Sequence, residues 1–343
     1  MIKNQVTSQD VANYVGVSRT TVSLVLNDVT GIKISPKTRE KVLDAAEELG
    51  YIPNATAQAL ATQRSMVIGL VMTRSPHHIA SDTFLPQILG GLLNVVNKYK
   101  FRLMIESVEE ERQDRVYLEL ARAKHIDGMV LLTPRIDDKG LRKLAEVGVP
   151  TVLMGKITGS DLYSVDVDNR LAAKKATQYL VDLGHTKIAC IANAPPSYSA
   201  SPDRVQGYKD ILISAGITPD DNLIRYADFD PKSGFECMQS LLMSGEKFSA
   251  VFVASDNVAM GVKAALREAN LRIPDDISIV GFDDIPWSQY SDPPLTTVRL
   301  PAQELASEAC LLLLDLMKES KPETKEVILD TELIVRQSCR SLT

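Results

Sequence analysis

The sequence predicts an α/β protein with a small all-α headpiece at its N-terminus and two doubly wound lobes after it. Two observations carry this prediction. Apolar residues recur at helical spacing in residues 6–27 and 35–50, whereas from Met66 onward apolar runs of strand length alternate with amphipathic helices. The 343 residues are 45% hydrophobic, which suffices for a headpiece of about 60 residues and two larger cores.

Residues 6–27, VTSQDVANYVGVSRTTVSLVLN, predict two short helices joined by a tight turn. Thr7 is a candidate N-cap, and Asp10 completes a capping box with it. Gly16 permits the turn, and Ser18 can cap the second helix. This spacing is typical of a DNA-reading helix-turn-helix, although an αα-hairpin packed in a globular core has the same pattern.

The second helix buries Val22, Val25 and Leu26 on one face. Its outward side chains are then Arg19, Thr20, Ser23 and Leu24. Because a recognition helix presents its N-terminal residues to the major groove, Arg19 and Thr20 are the candidate readers of base edges.

A third helix is predicted to start at Ser35-Pro36, a cap followed by proline, and to end at Gly50. The segment ATAQALA, residues 55–61, is helix-prone but only about two turns long, so it should be marginal as an isolated helix. We therefore expect a hinge, assigned to residues 51–61, that becomes ordered only when something holds it.

These motifs, with SPKTREKVLDAAEELGYIPN and AQALA, resemble the DNA-binding headpiece of the lactose-repressor/galactose-repressor (LacI/GalR) family. The resemblance implies that the hinge helices of a dimer pair in the minor groove and that Leu60 wedges between base pairs. Leu24 departs from the polar or basic residue that relatives often carry, so base reading there is expected to be apolar or absent. The predicted DNA contacts are Thr7, Ser18, Arg19, Thr20, Thr21, Ser23, Leu24, Asn27, Asn54, Ala57 and Leu60.

The remainder, residues 62–343, contains two βαβ series with a switch near residues 155–165. This part of the chain resembles the periplasmic-binding-protein-like effector domain of the same family. The motifs that carry the resemblance are LGHTKIA, VFVASDNVAMG, ISIVGFDD and PPLTTV. Residues 1–50 are then the headpiece. The expected N-lobe comprises about 62–162 and 294–322, and the expected C-lobe about 163–293 and 323–340.

Polar side chains that follow the strands are the candidates for a ligand site, because open α/β sheets bind ligands beyond the carboxyl ends of their strands. On this ground alone the candidates are Arg74, Ser75, Arg135, Tyr198, Arg204, Asp256, Asn257 and Asp283. A single charged loop residue is more often merely solvated, so the prediction depends on the convergence of the set.

The resemblance implies that Arg204 and Asp283 clamp the effector, that Phe229 is an aromatic on the cleft wall and that Asp256 adjoins a polar contact. A carboxylate, a guanidinium and an aromatic face suit the vicinal hydroxyls of a sugar. The predicted effector contacts are Ser75, Phe84, Arg135, Tyr198, Arg204, Phe229, Asp256 and Asp283.

Three positions narrow the effector further. Tyr198 and Ala200 stand where the purine-responsive branch of the family carries Arg and Thr, which argues against a purine. Leu300 stands where the lactose-type relative has Gln, so a β-galactoside is not expected either. Another mono- or oligosaccharide is the predicted effector.

Composition argues against three other classes of protein: non-specific nucleic-acid binders, membrane proteins and exported proteins. The chain has a net charge of −6 and a pI near 5.4, whereas a non-specific nucleic-acid binder would be basic. No apolar run reaches membrane-spanning length, and MIKNQVTSQD lacks a signal-peptide core. The four cysteines are spread without a CxxC pair, which is typical of reduced thiols in a cytoplasmic protein. The adjacent His77 and His78 are expected to point apart, and no metal or cofactor is expected.

A ligand-responsive transcriptional regulator, most often a repressor, is the function that these observations favour. A sugar-binding transport receptor would share the two lobes but would need an export signal and no headpiece. An enzyme is disfavoured because GxGxxG after the first strand, a P-loop and GxSxG are all missing. A regulator that uses a phosphoprotein corepressor remains an alternative.

The expected assembly is a homodimer on a near-palindromic double-stranded operator. No leucine heptads follow the final strand, and relatives that form tetramers do so through such a coiled coil. The operator and the small effector are therefore the two predicted partners besides the second subunit, and no membrane is involved.

Overall fold

The computed structural model describes residues 6–27, 33–54, 58–59, 62–108, 113–318 and 322–342. The chain divides into two compact units, Met1–Met66 and Val67–Thr343. Two predicted DNA contacts, Ala57 and Leu60, lie outside the described residues.

The first unit contains the three predicted helices. They are α1 (Ser8–Val15), α2 (Arg19–Leu26) and α3 (Pro36–Glu48). Their apolar faces meet in one small core, in which Val11, Val22 and Val42 are fully buried. The helical spacing of apolar residues therefore predicted this unit correctly.

Local hydrogen bonds determine where these helices begin. Thr7 and Asp10 form the expected reciprocal capping box at α1, and the Ser18 hydroxyl accepts from the Thr21 amide at α2. Gly16 ends α1 with φ +77°, a left-handed conformation that glycine adopts without strain. The turn between α1 and α2 is thus defined by the left-handed Gly16 at its start and the Ser18 cap at its end.

The predicted hinge helix over residues 51–61 is wrong at its start. Residues 51–54 are not helical, whereas Gln58 and Ala59 are, and the Gln58 amide donates to the Asn54 carbonyl at 2.9 Å. Proline disfavours the α conformation in the residue before it, here Ile52 before Pro53. Helical structure in this segment therefore cannot begin directly after α3.

The second unit contains the strands of two sheets. These are β1 (Val67–Met72), β2 (Arg102–Ser107), β3 (Gly128–Leu132), β4 (Thr151–Met154), β5 (Tyr163–Val167), β6 (Ile188–Ala192), β7 (Ile224–Tyr226), β8 (Ala250–Val253), β9 (Ser278–Asp283), β10 (Thr296–Arg299), β11 (Glu326–Leu329) and β12 (Glu332–Ile334).

The helices of this unit are α4 (Pro76–Ala80), α5 (Leu85–Lys98), α6 (Gln113–Arg122), α7 (Gly140–Val147), α8 (Asn169–Asp182), α9 (Ala200–Ser214), α10 (Pro231–Met243), α11 (Asp256–Glu268) and α12 (Ala302–Leu316). Short 3-10 turns cover Asp221–Leu223 and Ser288–Tyr290. None of the described helices combines the length and apolarity needed to cross a membrane.

Each lobe is built on a sheet that has six strands among the described residues. The strand order is β11-β5-β4-β3-β1-β2 in the first and β12-β10-β9-β8-β6-β7 in the second. All pairs are parallel except β10 with β12. The two doubly wound lobes are therefore confirmed.

The predicted points at which the chain changes lobes are wrong for two strands. β5 pairs with β4 in the first sheet, although it was assigned to the C-lobe. β10 pairs with β9 in the second sheet, although it was assigned to the N-lobe. The last two strands join different sheets, because β11 pairs with β5 in the first and β12 with β10 in the second. Buried parallel strands have the same apolar pattern in either sheet, so the pattern does not distinguish the lobes.

The close packing of α5 against α12 in the first lobe depends on Gly91, which has no Cβ. A Cβ on Gly91 of α5 would collide with the backbone oxygen of Gln303 and lie 2.8 Å from the Ala306 Cβ of α12. At the neighbouring Gly90, the nearest atom would be 3.8 Å away. The two glycines therefore have different roles on the same helix.

We predict that Gly91→Ala lowers the free energy of unfolding by about 1–3 kcal/mol, because α5 and α12 must separate. Gly90→Ala should be neutral or raise it by about 0.5–1 kcal/mol, because alanine favours the helix and fits the space. Urea unfolding followed by circular dichroism measures both. Equal effects of the two substitutions would contradict this packing.

Candidate DNA-binding surface and effector cleft

The exposed end of α2 carries the predicted base-reading residues. Arg19 and Thr20 are exposed, whereas Thr21, Ser23 and Leu24 are half-buried. The Nε of Arg19 donates to the Ser8 hydroxyl at 3.0 Å, which leaves the remaining guanidinium donors for base or phosphate contacts. The structure thus places Arg19 at the exposed start of α2, and its base-reading role stays a prediction.

A side-chain network joins the hinge segment to α2. Gln58 Nε2 donates to Asn27 Oδ1 at 2.9 Å, and Asn27 Nδ2 donates to the Ser23 hydroxyl at 3.1 Å. Asn54 is exposed. The role of Gln58 was not predicted, because nothing in its sequence position shows which distant amide it meets.

A cavity lies at the carboxyl ends of the first and second sheets. Its volume is about 90 Å³, below the 300–1,000 Å³ of typical ligand pockets. It is lined by Phe84, Ile88, Leu132, Thr133, Pro134, Met154, Gly155, Val165, Asp166, Asn193, Tyr198, Ser199, Ala200, Arg204, Phe229, Leu300 and Leu305. Of the predicted effector contacts, Phe84, Tyr198, Arg204 and Phe229 therefore converge here.

Arg204 is held rigidly at the cavity wall by the second lobe. Its Nε donates to Asn169 Oδ1 at 2.9 Å and its Nη1 to the Ala254 carbonyl at 2.7 Å. The guanidinium carbon lies 3.8 Å from the centre of the Phe282 ring. Nη2 has no hydrogen bond to any described residue, so it is a donor available to a ligand.

Two cavity residues were missed by sequence reasoning. Asp166 follows the buried start of β5, and burial raises the pKa of its carboxyl to about 6, against its hydrogen bonds from Val167 and Asn169. Asn193 follows β6, and its Oδ1 is buried without a hydrogen-bond partner in the described chain. The position of Asn193 directly after β6 was a signal that could have identified it, whereas Asp166 lies within β5 and offered no such signal.

Aromatic side chains form one side of the cavity. Tyr198 meets Phe229 edge-on, with ring centres 4.7 Å apart, and the Arg74 guanidinium lies 4.8 Å from the Phe229 ring centre. Arg74 also pairs with Asp82 at 2.7 Å, yet its buried Nε has no partner in the described structure. This wall suits stacking on the apolar face of a ring.

Asp256 and Asp283 do not line the cavity in this structure. Asp256 is fully buried and accepts hydrogen bonds from the Ile285 amide and two hydroxyls, those of Ser288 and Thr297. Asp283 accepts one from the Ser255 hydroxyl at 3.0 Å. Burial raises the pKa of the Asp283 carboxyl to about 8, although Arg204 favours its charged form.

Ser75 and Arg135 are also outside the cavity lining. The Ser75 hydroxyl caps α4 through the His78 amide. Arg135 forms a bidentate pair with Asp137 at 2.8 and 2.9 Å and lies 5.3 Å from the Tyr198 ring centre. Both therefore support neighbouring residues in this structure.

The cleft is held closed by polar contacts between the lobes. His77 and His78 do not simply point apart: their Nε2 atoms lie 3.3 Å from Asp230 and 3.0 Å from Asp228, respectively. Asn257 donates to the Ser81 carbonyl at 3.1 Å and to the Phe229 carbonyl at 2.9 Å. These contacts join the segment around α4 to the second lobe beside the cavity.

Comparisons with known proteins agree with this architecture. Residues 7–54 match the bacterial regulatory proteins of the lacI family, and residues 177–339 match the periplasmic binding protein-like domain. The transcriptional regulator CelR of Thermobifida fusca is 35% identical, over 97% of this chain and 98% of its own. The chain belongs to the LacI family. The transcriptional repressor CytR of Escherichia coli K12 is 34% identical over 98% of this chain and 97% of its own.

Solved structures of LacI-family members extend the likeness to three dimensions. The lac repressor dimer bound to operator and an anti-inducer has a TM-score of 0.86 at 29% identity, covering 98% of this chain and 100% of that one. A CelR–cellobiose complex has a TM-score of 0.75 at 33% identity, covering 97% and 100%. This chain is thus a DNA-binding transcriptional regulator, and the relatives named here are regulators rather than enzymes.

We predict a pH-dependent stability difference between the protein and Asp283→Asn. An unfolded aspartate titrates near pH 4, so folding retains a proton on Asp283 up to about pH 8. The stability that this proton provides is present at low pH and is lost as the pH rises. The melting temperature of the native sequence should therefore fall relative to the variant between about pH 4 and about pH 8. A constant difference would contradict the raised pKa.

Proposed function

We propose that this LacI-family protein is a transcriptional repressor whose operator affinity is controlled by a sugar bound in the inter-lobe cavity. The observation that supports the effector site is the cavity itself, where Arg204 Nη2, Asn193 Oδ1 and the Asp166 carboxylate offer hydrogen bonds beside an aromatic wall. The DNA-reading unit precedes it in the same chain. Such a regulator acts on the chromosome, in the bacterial cytoplasm.

The chemistry of the cavity favours a neutral polyhydroxylated ligand. One donor and two acceptor groups match the hydroxyls of a sugar, each of which both donates and accepts. Phe84, Tyr198 and Phe229 supply apolar contact for the ring. That CelR is described in complex with cellobiose is consistent with a sugar here.

Binding requires a change in the closure of the lobes. A cavity of about 90 Å³ is too small for a sugar of ordinary size, so the contacts of His77, His78 and Asn257 across the cleft must loosen. A ligand that prefers one degree of closure shifts the populations of the two states. The effect on DNA affinity is reciprocal, and such couplings are typically about 1–3 kcal/mol.

We also propose that the protein acts as a homodimer on a near-palindromic operator. The lac repressor structure that resembles it is a dimer bound to operator, and a two-fold dimer reads two equivalent half-sites. The predicted roles of Asn54, Ala57 and Leu60 at the operator centre belong to this proposal.

The effector site is tested with Asn193→Ala. Because the removed Oδ1 has no partner in the described chain, the free protein should keep or raise its melting temperature. Its thermal shift with the best sugar of a panel should disappear, as should the sugar response of operator binding. Asn97→Ala, exposed on α5, is the control. An unchanged sugar response in Asn193→Ala would show that the effector binds elsewhere.

The operator contact is tested with Arg19→Ala. Loss of a bidentate base contact should weaken operator binding by about 1–3 kcal/mol and relax preference at one base pair per half-site. Fluorescence anisotropy measures the affinity, and in vitro selection gives the consensus for both proteins. An identical consensus would show that Arg19 contacts only phosphate.

A further inference from the structure

Five exposed cations lie at the amino-terminal edge of the first sheet. Lys98 and Lys100 precede β2, which begins at Arg102, while Arg122 and Lys124 precede β3. β2 and β3 are the two neighbours of β1, and all three run parallel. The five side chains therefore flank the start of β1 on both sides, and we call them the basic edge.

The basic edge is not neutralised within the described chain. None of its five side chains forms an ion pair with a described carboxylate, and the ammonium of Lys98 contacts only the ring of Tyr99, at 5.7 Å. Two carboxylates need to be counted against these cations. Asp127 also precedes β3, and Asp315 forms an ion pair with Lys318 at 3.0 Å. The edge thus keeps an excess of positive charge in a chain whose net charge is −6.

The position of this edge in the chain connects it to DNA binding. β1 starts at Val67, the first residue of the second unit, and the residues before it lead from the DNA-reading unit. Residues 1–61 contain six Lys or Arg and six Asp or Glu, so this segment has no net charge to attract a polyanion. Phosphate neutralisation by cations normally supplies much of the affinity for DNA.

We propose that the basic edge binds the phosphate backbone of the DNA that flanks the operator. The contact carries no base information, so it strengthens binding without altering the consensus. It is sensitive to salt, because each neutralised phosphate releases condensed counterions. Charge complementarity selects this occupant: the cations are exposed, form no ion pair with a described carboxylate and are adjacent to the covalent connection with the DNA-reading unit.

The test compares charge-matched double variants of the full-length protein. Lys100→Gln/Arg102→Gln and Arg122→Gln/Lys124→Gln each remove two charges from the basic edge. Lys187→Gln/Lys247→Gln removes two exposed charges from the amino-terminal edge of the second sheet, before β6 and β8. Both sheets direct their carboxyl ends to the cavity, so the control pair lies on the edge of the second lobe that faces away from it.

Operator affinity is measured by fluorescence anisotropy from about 50 to about 200 mM salt, with and without about ten flanking base pairs on each side. For each basic-edge variant, the slope of log affinity against log salt should become shallower by at least about one on flanked DNA. The consensus from in vitro selection should not change. On the unflanked operator and in the control variant, the slope should stay near that of the native sequence.

Two results would overturn the proposal. The first is a slope of log affinity against log salt on flanked DNA that is the same in the basic-edge variants as in the native sequence. That result would show that the basic edge does not contact DNA and that its partner is another one, such as an acidic protein. The second is an equal loss in the control pair, which would show an effect of net charge alone. Unchanged melting temperatures verify that all variants are folded.

Discussion

The effector site depends on one topological constraint: both sheets are parallel around the cavity and direct their carboxyl ends to the same space. Arg204 lies in α9, which follows β6 in the second lobe, whereas Asp166 is the penultimate residue of β5 in the first. Neither residue alone would indicate a ligand site, because a single charged side chain is usually just solvated. The opposed strand ends bring a guanidinium, a carboxylate and an unpaired amide oxygen into one cavity. This arrangement follows from βαβ winding.

The periodic and local features of the chain could be predicted from the sequence, but the assignment of strands to lobes could not. Thr7, Ser18 and Ser35 cap the helices of the headpiece because their hydroxyls reach amides three residues later, a purely local relation. β5 and β10 are as apolar as their neighbours, and their choice of sheet depends on partners distant in sequence. The polar residues that follow strands could likewise be identified as candidates from the sequence. Which of their polar atoms lack a hydrogen-bond partner could not be predicted, because that depends on residues distant in the chain.

The aspartates show this limit at the level of single atoms. Asp166 lies in β5, Asp283 ends β9 and Asp256 begins α11, and burial raises the pKa of all three carboxyls. The structure separates them by hydrogen bonds: Asp256 accepts three from residues beyond it in the chain, whereas Asp166 is bonded by its neighbours Val167 and Asn169 and borders the cavity. A carboxylate satisfied by its own lobe stabilises that lobe, and one beside an empty space is available to a ligand. The sequence shows where along the chain a carboxylate lies, but it does not show whether the carboxylate oxygens already accept hydrogen bonds.

The closed cleft is held by contacts that can be broken at small cost. The two histidine–aspartate pairs are polar and partly exposed, with His77 75% exposed, and pairs of this kind each contribute about 0–1 kcal/mol. A few such contacts give a closing free energy comparable to the differential affinity of a small ligand for two states. One apolar cluster includes residues of both lobes, among them Leu70 of β1 and Phe252 of β8. The weak polar contacts beside the cavity are thus the part of the inter-lobe contact that a ligand can change at small cost.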